Sequence, residues 1–327
     1  MLCWVSASSG CVRAGYDRAV DPRQDLSATR DAANADRSGE DGPGGGTERP
    51  LVRDGPVQPG PLTCSKPQLV GAATTLPHLS EAALRTSGLT LVARTMNLGG
   101  WETTRPAHDQ PFGAWTESVL LPGGEDPTFF DLYGVERAVV AQAETAGAAR
   151  HLRLCPMAGN CTALSLLQPS GMPIGEDMDG PSVAALPSGA LLMAFDLNFN
   201  MGAETEIYLA QGSAAAPYTW SALPAVALNQ TGVKEDDPAL SPDGLVLIFN
   251  KETTGMNGDL YVSERASTDA AFPAPRPLND VNTTGVEGSA YLAPLLPAKG
   301  KTRYELFLSS DSNTGGAYLV HRSVCER

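Results

Sequence analysis

The sequence has few aromatic residues, no long apolar run and no excess of basic side chains. Phenylalanine, tyrosine and tryptophan make up 6% of the 327 residues. No apolar stretch approaches the ~18 residues that a membrane-spanning helix needs. The formal net charge of −14 argues against a basic face for nucleic acid or for an anionic membrane surface. We therefore expect neither a spanning helix nor a nucleic-acid partner.

Common catalytic signatures are also missing. The histidines are scattered without metal-ligand spacing, at His78, His108, His151 and His321. There is no Gly-x-Ser-x-Gly elbow, no phosphate-binding glycine loop after a strand and no dinucleotide fingerprint. No such motif therefore points to a nucleophilic hydrolase, a nucleotide-binding protein or a dehydrogenase.

What the sequence does have is turn residues between short apolar runs, with 34 glycines and 26 prolines. This composition favours an all-β chain. The clearest stretch, residues 234–266, contains an acidic cluster, a Pro-Asp-Gly turn, the apolar strand LVLIF, a glycine-rich loop and the strand DLYVSER. Because weaker copies precede and follow it, we interpret the chain as a set of repeats.

The repeats are marked by the glycine that closes the first turn of each unit. These glycines are Gly88, Gly134, Gly189, Gly244 and Gly300, and successive ones are 46, 55, 55 and 56 residues apart. Each unit has room for four short strands, and about fifty residues per four-stranded unit is the period of a propeller blade. We predict a five-bladed β-propeller of four-stranded antiparallel blades.

The ends of the propeller are predicted to meet in one blade. The fifth unit stops without an outermost strand, and the stretch Lys66 to Pro77 resembles the outer strands. A Cys64–Cys325 disulfide would lock this closure and contribute roughly 4 to 5 kcal/mol in the chain-entropy model. A second bond, Cys155–Cys161, would span a hairpin turn. Two disulfides imply an oxidising compartment, whereas reduced cysteines in the cytosol are the alternative interpretation.

The N-terminal residues 1–62 differ from the propeller, residues 63–327. They are rich in Asp, Arg, Gly, Ala and Pro and lack apolar periodicity, which predicts a disordered linker. Gly10-Cys11 resembles the lipobox of bacterial lipoproteins, in which the cysteine is acylated. It departs from that pattern at Ser8 and lacks a long apolar core and a basic start. An unstructured start with two incidental thiols is the alternative.

The stretch from Asp236 to Glu264, with DDPALSPDG, LVLIFN and GDLYVSE, resembles the WD40-like (PD40) repeat of TolB-type propellers. The resemblance is specific in the fourth unit, moderate in the third and faint elsewhere. It implies a propeller, often in the cell envelope and with protein-binding roles, and it implies no catalytic mechanism. We predict a monomeric, non-catalytic binding or scaffolding protein of the bacterial cell envelope, with a protein or polysaccharide partner. We accordingly expect an exported protein, periplasmic, anchored to the outer membrane through a lipid, or extracellular, and not an enzyme.

Acidic residues recur before the first strand of successive units. They are Glu81, Asp126, Asp179, Asp236, Asp237 and Glu287. In a propeller these segments enter beside the central channel, so the carboxylates could converge at one mouth and bind a ligand or a cation such as calcium. The alternative function is a carbohydrate-active hydrolase, because five-bladed glycoside hydrolases place two Asp and one Glu there. Asp126, Asp179 and Glu287 are then the catalytic candidates. The structural interpretation is that these acids are turn residues.

A second calcium candidate is the loop at Asp196, Asn198 and Asn200. Their alternate spacing is that of a calcium loop, but the glycine falls one place late at Gly202. A hairpin loop of turn formers explains the spacing equally. Apart from calcium, we predict no cofactor. Asn229 and Asn282 are formal glycosylation acceptors, which we interpret as turn residues between units.

Overall fold

The computed structural model describes residues 60–71, 79–95, 99–118, 125–143, 148–168, 177–199, 204–252, 258–298, 300–311 and 318–327. Contacts between residues divide the chain into Met1–Gly55 and Pro56–Arg327, and the described residues all belong to the second unit. Cys11 and nearly all of the predicted linker lie outside the described residues. Within those ranges, no helix is long and apolar enough to cross a membrane.

The described residues form 22 strands in five blades. Blade 1 contains β3 (Leu79–Leu84), β4 (Thr90–Thr95), β5 (Gly99–Thr104) and β6 (Thr116–Ser118). Blade 2 contains β7 (Glu125–Leu132), β8 (Val135–Ala143), β9 (Arg150–Pro156) and β10 (Thr162–Ala163). Blade 3 contains β12 (Met178–Ala185), β13 (Ala190–Phe199), β14 (Glu204–Ser213) and β15 (Ala216–Pro224), with β11 (Ser165–Leu167) at its edge. Blade 4 contains β16 (Lys234–Leu240), β17 (Val246–Glu252), β18 (Asp259–Glu264) and β19 (Arg276–Pro277). Blade 5 contains β20 (Glu287–Ala298), β21 (Lys301–Ser310), β22 (Leu319–Glu326), β1 (Thr63–Cys64) and β2 (Gln68–Leu69).

The five inner strands close into a ring. Each of β3, β7, β12 and β16 contacts the next inner strand, and β20 contacts β3 again. Every pair of neighbouring blades shares one apolar cluster, because alternate residues of each strand face the adjacent sheet. Trp220, for example, is buried where blades 2 and 3 pack together. The predicted five-bladed propeller is confirmed.

The first turn of each blade uses the glycine that the repeat spacing identified. Gly88, Gly134, Gly189, Gly244 and Gly300 all have a positive φ, between 69° and 82°. In blade 4 the hydroxyl oxygen of Ser241 also accepts hydrogen bonds from the backbone N–H groups of Leu245 and Val246, at 3.1 and 2.9 Å. The turn is therefore fixed by its local sequence.

The N-terminal strands complete blade 5, as predicted. Thr63 and Cys64 pair with Glu326 and Cys325 on β22, and β2 pairs farther along the same strand. The Cys64–Cys325 disulfide lies in this ladder, and the Cys155–Cys161 disulfide joins β9 to the residue before β10. Both predicted bonds are present in the fold.

The outer strands are shorter and less regular than the sequence suggested. The stretch that follows Cys161 divides, so that β10 pairs with β9 in blade 2 and β11 pairs in parallel with β15 of blade 3. Blades 3 and 4 also share one parallel bridge, Thr205 to Lys234, which merges them into a nine-stranded sheet. Outer strands bury only one face, so their local sequence constrains their pairing weakly.

Candidate functional site

Every inner strand carries a β-bulge near its start. In each blade the register skips two residues of the inner strand at this point, and these two residues lie opposite one residue of the second strand. The first skipped residue has a positive φ in all five blades: Glu81 (52°), Asp126 (46°), Gly180 (53°), Asp237 (50°) and Ser289 (45°). A bulge re-aims a side chain out of the normal alternation, and these five residues all line one cavity in the central channel.

This cavity, at the mouth of the channel, has a volume of about 30 Å³. That space holds a water molecule but not a sugar ring. Tyr291 lies between it and a larger cavity of about 470 Å³ at the other end of the channel, because it lines both. Its hydroxyl donates to the carbonyl of Leu84 at 3.0 Å. This hydrogen bond anchors Tyr291 to the inner strand of blade 1.

Asp237 lies among other carboxylates on this cavity. Its Oδ2 atom accepts hydrogen bonds from the backbone N–H and the hydroxyl of Ser289, at 3.2 and 3.1 Å. Burial, reinforced by the charges of Asp236 and Glu81, raises the pKa of Asp237 to about 7, although Lys234 and the Ser289 hydroxyl oppose the shift. Such a carboxyl is protonated in a substantial fraction of molecules at neutral pH, so it could donate a proton.

Glu81 and Asp126 lie side by side on the same ring. The backbone N–H of Asp126 donates to Oε2 of Glu81 at 3.2 Å, and Nη1 of Arg94 is 3.9 Å from the same oxygen. Glu81 is thus held by its neighbours, while the half-buried side chain of Asp126 lines the cavity. Two of the predicted mouth acids, with Asp237 as a third, are brought together here.

Asp179 lies one residue before the bulge of blade 3 and does not line the cavity. It forms an ion pair with Arg150 of β9, whose Nε is also 3.0 Å from Oδ1 of Asp177. The Oδ1 atom of Asp179 is buried without a hydrogen-bond partner among the described residues. The structure therefore places Asp179 beside the mouth, engaged with a neighbouring blade.

Asp236 and Glu287 point away from the channel mouth. Oδ1 of Asp236 accepts a hydrogen bond from Nδ2 of Asn250 at 2.8 Å, and Asp236 forms an ion pair with Lys234. Glu287 is fully buried. Its Oε1 accepts from the hydroxyls of Thr283 (2.5 Å) and Ser310 (3.0 Å). The structure does not bring Glu287 to the other candidate acids, because its carboxylate fastens the loop between blades 4 and 5.

Sequence reasoning missed Ser289 and Tyr291 as channel residues and the role of Asp196. Oδ2 of Asp196 accepts a hydrogen bond from the backbone N–H of Asp237 at 3.2 Å. Burial, with the charges of Asp237 and Asp236, raises the pKa of Asp196 well above its usual range. A proline follows the bulged residue in blades 2, 3 and 4, and this repeated X-Pro pair is the sequence signal that could have located the ring.

The predicted calcium loop is partly occupied by internal contacts. The backbone N–H of Asn198 donates to the carbonyl of Asp177 at 2.9 Å, and its Nδ2 donates to the same carbonyl at 3.3 Å. Asn200 lies outside the described residues. Among the residues that the structure describes, no three His, Cys, Asp or Glu side chains form a metal-binding group. Calcium binding stays a prediction.

No protein-family model and no curated protein sequence matches this chain. Solved structures do. An endo-arabinase from Bacteroides thetaiotaomicron has 14% identity and a TM-score of 0.52, over 78% of this chain and 96% of that chain. A thermostable family-43 glycoside hydrolase has 9% identity and a TM-score of 0.55, over 79% and 91%. The catalytic domain of a family-62 α-L-arabinofuranosidase from Coprinopsis cinerea has 12% identity and a TM-score of 0.51, over 81% and 96%. At these identities the likeness shows a shared fold.

These comparisons correct the TolB-type assignment, which is wrong. The similar structures are five-bladed propellers of glycoside hydrolase families 43 and 62, not TolB-type repeat proteins. The misleading motif has a local physical cause. Asp237-Pro238 forms a bulge and Ser241 to Gly244 forms a turn, and both features recur in blades of this chain that lack the motif.

The functional predictions drawn from that resemblance are also wrong. The three similar structures reported above are those of enzymes, which contradicts a non-catalytic binding or scaffolding role and the prediction that the chain is not an enzyme. The two disulfides agree with the coarser prediction of a protein outside the reducing cytosol.

Proposed function

We propose that this protein is a carbohydrate-active hydrolase that cleaves glycosidic bonds at the mouth of the propeller channel. The observation that carries the proposal is Asp237, a carboxyl group with a pKa raised to about 7 on a ring that also holds Asp126 and Glu81. Glycoside hydrolysis needs one carboxylic acid that is protonated and one carboxylate that is ionised, in different environments. The fold shared with hydrolases of families 43 and 62 supports it.

In the proposed mechanism Asp237 is the general acid and Asp126 the general base. Asp237 gives its proton to the glycosidic oxygen as the bond to the anomeric carbon breaks. A water molecule at the mouth attacks that carbon and gives a proton to Asp126. Room for a water at the carboxylates fits an inverting reaction, in which water attacks directly. Asp179 holds Arg150 beside the site, and Glu287 is structural in this proposal, so only Asp126 keeps the role that the sequence suggested.

The proposed substrate is a polysaccharide or oligosaccharide outside the cytoplasm. Two of the similar structures are named for arabinan or arabinofuranoside hydrolysis, so these glycans are the first to test. A mouth cavity of about 30 Å³ requires the sugar to lie across the channel rather than inside it. We place the protein in the periplasm, on the outer membrane or in the medium, where such polymers occur.

The test measures reducing ends released from arabinan, arabinoxylan and aryl glycosides by the full chain and by single variants. We expect Asp237→Asn and Asp126→Asn to reduce kcat by about 10²- to 10⁴-fold, the range for loss of a general acid or base. Asp109→Asn is the matched control, because Asp109 is exposed in the blade 1 loop and does not line the mouth cavity. The wild type should also lose activity as the pH rises through about 7, when Asp237 loses its proton.

Two results would overturn the proposal. One is a folded wild-type protein that releases no reducing ends from any substrate in the panel. The other is an Asp237→Asn variant with wild-type kcat and an unchanged pH profile. Either would leave the acidic ring as an architectural feature of the bulges.

A further inference from the structure

Blades 1 and 4 carry the same buried arginine motif. Arg105 and Arg265 each follow the third strand of their blade, and each lies over the ring of a phenylalanine seven residues later. The guanidinium carbon is 4.7 Å from the centre of Phe112 in blade 1 and 4.4 Å from Phe272 in blade 4. Each Nε donates to the carbonyl of the first-turn glycine, at 2.9 and 2.7 Å. The two guanidinium groups are therefore held in the same way by their own blades.

The neighbouring blade completes only one of the two motifs. In blade 1 the Nη atoms of Arg105 donate to both oxygens of Glu305, at 2.7 and 2.6 Å, and both side chains are fully buried. Glu305 belongs to blade 5 and pairs with Ala293, four residues after the bulged Ser289. The equivalent position in blade 3 pairs with Ala184, four residues after Gly180, and is Leu192. A leucine thus stands where the first motif has its carboxylate.

Arg265 consequently lacks the ion pair that Arg105 has. It is 8% exposed and forms no salt bridge among the described residues, and none of those residues accepts a hydrogen bond from its Nη2. The charges of Asp269, which is exposed, and Asp243, which is half-buried, act on Arg265, but neither carboxylate forms a salt bridge with it among the described residues. The counterpart of Asp269 in blade 1, Asp109, is also exposed and does not replace Glu305 as the partner of Arg105. A buried guanidinium without a directly hydrogen-bonded carboxylate is costly, so Arg265 is less well compensated than Arg105.

Arg265 and Leu192 both line a cavity of about 620 Å³ between blades 3 and 4. The volume is in the range of small-molecule binding sites. Most of the wall is apolar and includes Leu209, Val226 and Phe272. Gln211, Ser221, Thr268 and the exposed Asp269 supply polar groups. The channel mouth acids are not part of this wall, so the cavity is separate from the proposed hydrolytic site.

We propose that this cavity binds a small organic acid with an apolar body, whose carboxylate occupies on Arg265 the place that Glu305 occupies on Arg105. Arginine and a carboxylate form two parallel charge-assisted hydrogen bonds, which is the geometry seen in blade 1. The apolar wall accommodates the rest of the ligand. The role of the site is independent of whether the channel mouth hydrolyses glycans.

Isothermal titration of the full chain with 3-phenylpropionate tests this site, and 3-phenylpropionamide is the matched neutral probe. We expect the acid to bind at least about tenfold more tightly than the amide, because the amide loses the charge-assisted pair. Glucuronate, which has a carboxylate but no apolar body, should bind more weakly than 3-phenylpropionate. Equal affinity for acid and amide, or no binding of the acid, would overturn the proposal, and tighter binding of glucuronate would overturn the apolar part.

Three variants locate the binding. Arg265→Gln should lower the affinity for 3-phenylpropionate at least about tenfold and leave glycan hydrolysis unchanged. Leu192→Glu should also abolish binding, because it supplies an internal carboxylate as in blade 1. Arg265→Lys, which keeps the charge, should bind more tightly than Arg265→Gln and answers the question if the glutamine variant does not fold. Wild-type affinity in both Arg265→Gln and Leu192→Glu would contradict the assignment.

Discussion

At the scale of single residues, the role of each polar side chain depends on its partners from other blades. Asn229 and Asn282 illustrate this, since both are formal glycosylation acceptors. Each side-chain amide forms a pair of hydrogen bonds with the backbone of the preceding blade, Asn229 with Ile207 and Asn282 with Leu260, at 2.9 to 3.1 Å. The sequence indicated turn residues, but only the fold shows that the amides extend a strand edge.

Asp237 gives a prediction for stability as well as for activity. Its pKa is about 7 in the folded chain and near the ordinary value of 3.8 when unfolded. Between these values the unfolded chain has released a proton that the folded chain keeps, so the free energy of unfolding falls as the pH rises from about 4 to about 7. Asn cannot titrate. We expect Asp237→Asn to be more stable than the wild type at pH 8 by about 1 to 4 kcal/mol.

Urea unfolding of both proteins at low, intermediate and high pH measures this difference. It should shrink towards pH 4, where the wild-type carboxyl is protonated in both states. Asp109→Asn, at an exposed site, is the control and should show no such trend. A stability difference that stays constant across the pH range would show that Asp237 titrates normally.

At the scale of elements, the bulge of each inner strand decides what faces the channel. The repeated glycines predicted the first turns correctly, because a turn is encoded within a few residues. The bulges were not predicted, since a strand with one extra residue has nearly the same composition as one without it. They move Glu81, Asp126 and Asp237 to the mouth and leave Glu287, two residues before its bulge, buried between blades. The positions of acidic residues in the sequence alone therefore could not show which carboxylates face the channel mouth and which are buried between blades.

Gly180 tests the bulge of blade 3. Its φ is 53°, and a Cβ atom there would lie 2.7 Å from Oδ2 of Asp196 and 3.0 Å from Cδ of Pro238. We expect Gly180→Ala to lower the free energy of unfolding by about 2 to 4 kcal/mol, combining left-handed strain with overpacking. The matched control is Gly134→Ala, because Gly134 has a φ of 77° and no atom within 4 Å of such a Cβ.

Chemical denaturation of the two alanine variants separates the two contributions. The control should lose about 1 kcal/mol, from backbone strain alone. If both variants lose the same amount, Asp196 and Pro238 move aside without cost, and the contact between blades 3 and 4 is looser than its packing suggests.

At the scale of the whole molecule, the ring could be predicted because a repeat of fixed length encodes it several times. One ambiguous copy is corrected by the others, and the unpaired end of blade 5 pointed to closure by the N-terminal strand. Function is encoded once, in side chains that converge from different blades, so no repetition corrects an error. That is why the Ser-Pro-Asp-Gly turn of blade 4 suggested the wrong family although the fold was right.

Closure of the ring depends on two very short strands and one disulfide. Thr63–Cys64 and Gln68–Leu69 supply the outer edge of blade 5, and the Cys64–Cys325 bond spans 261 residues, whereas Cys155–Cys161 spans six. Because the entropy removed from the unfolded chain grows with the loop, replacing Cys64 and Cys325 by serine should cost about 5 kcal/mol. Replacing Cys155 and Cys161 should cost about 2 kcal/mol. Thermal and urea unfolding of the two double-serine variants measure both values. A larger loss from replacing Cys155 and Cys161 than from replacing Cys64 and Cys325 would contradict this prediction. It would mean that the strand ladder closes the ring and that the long-range disulfide adds little stability.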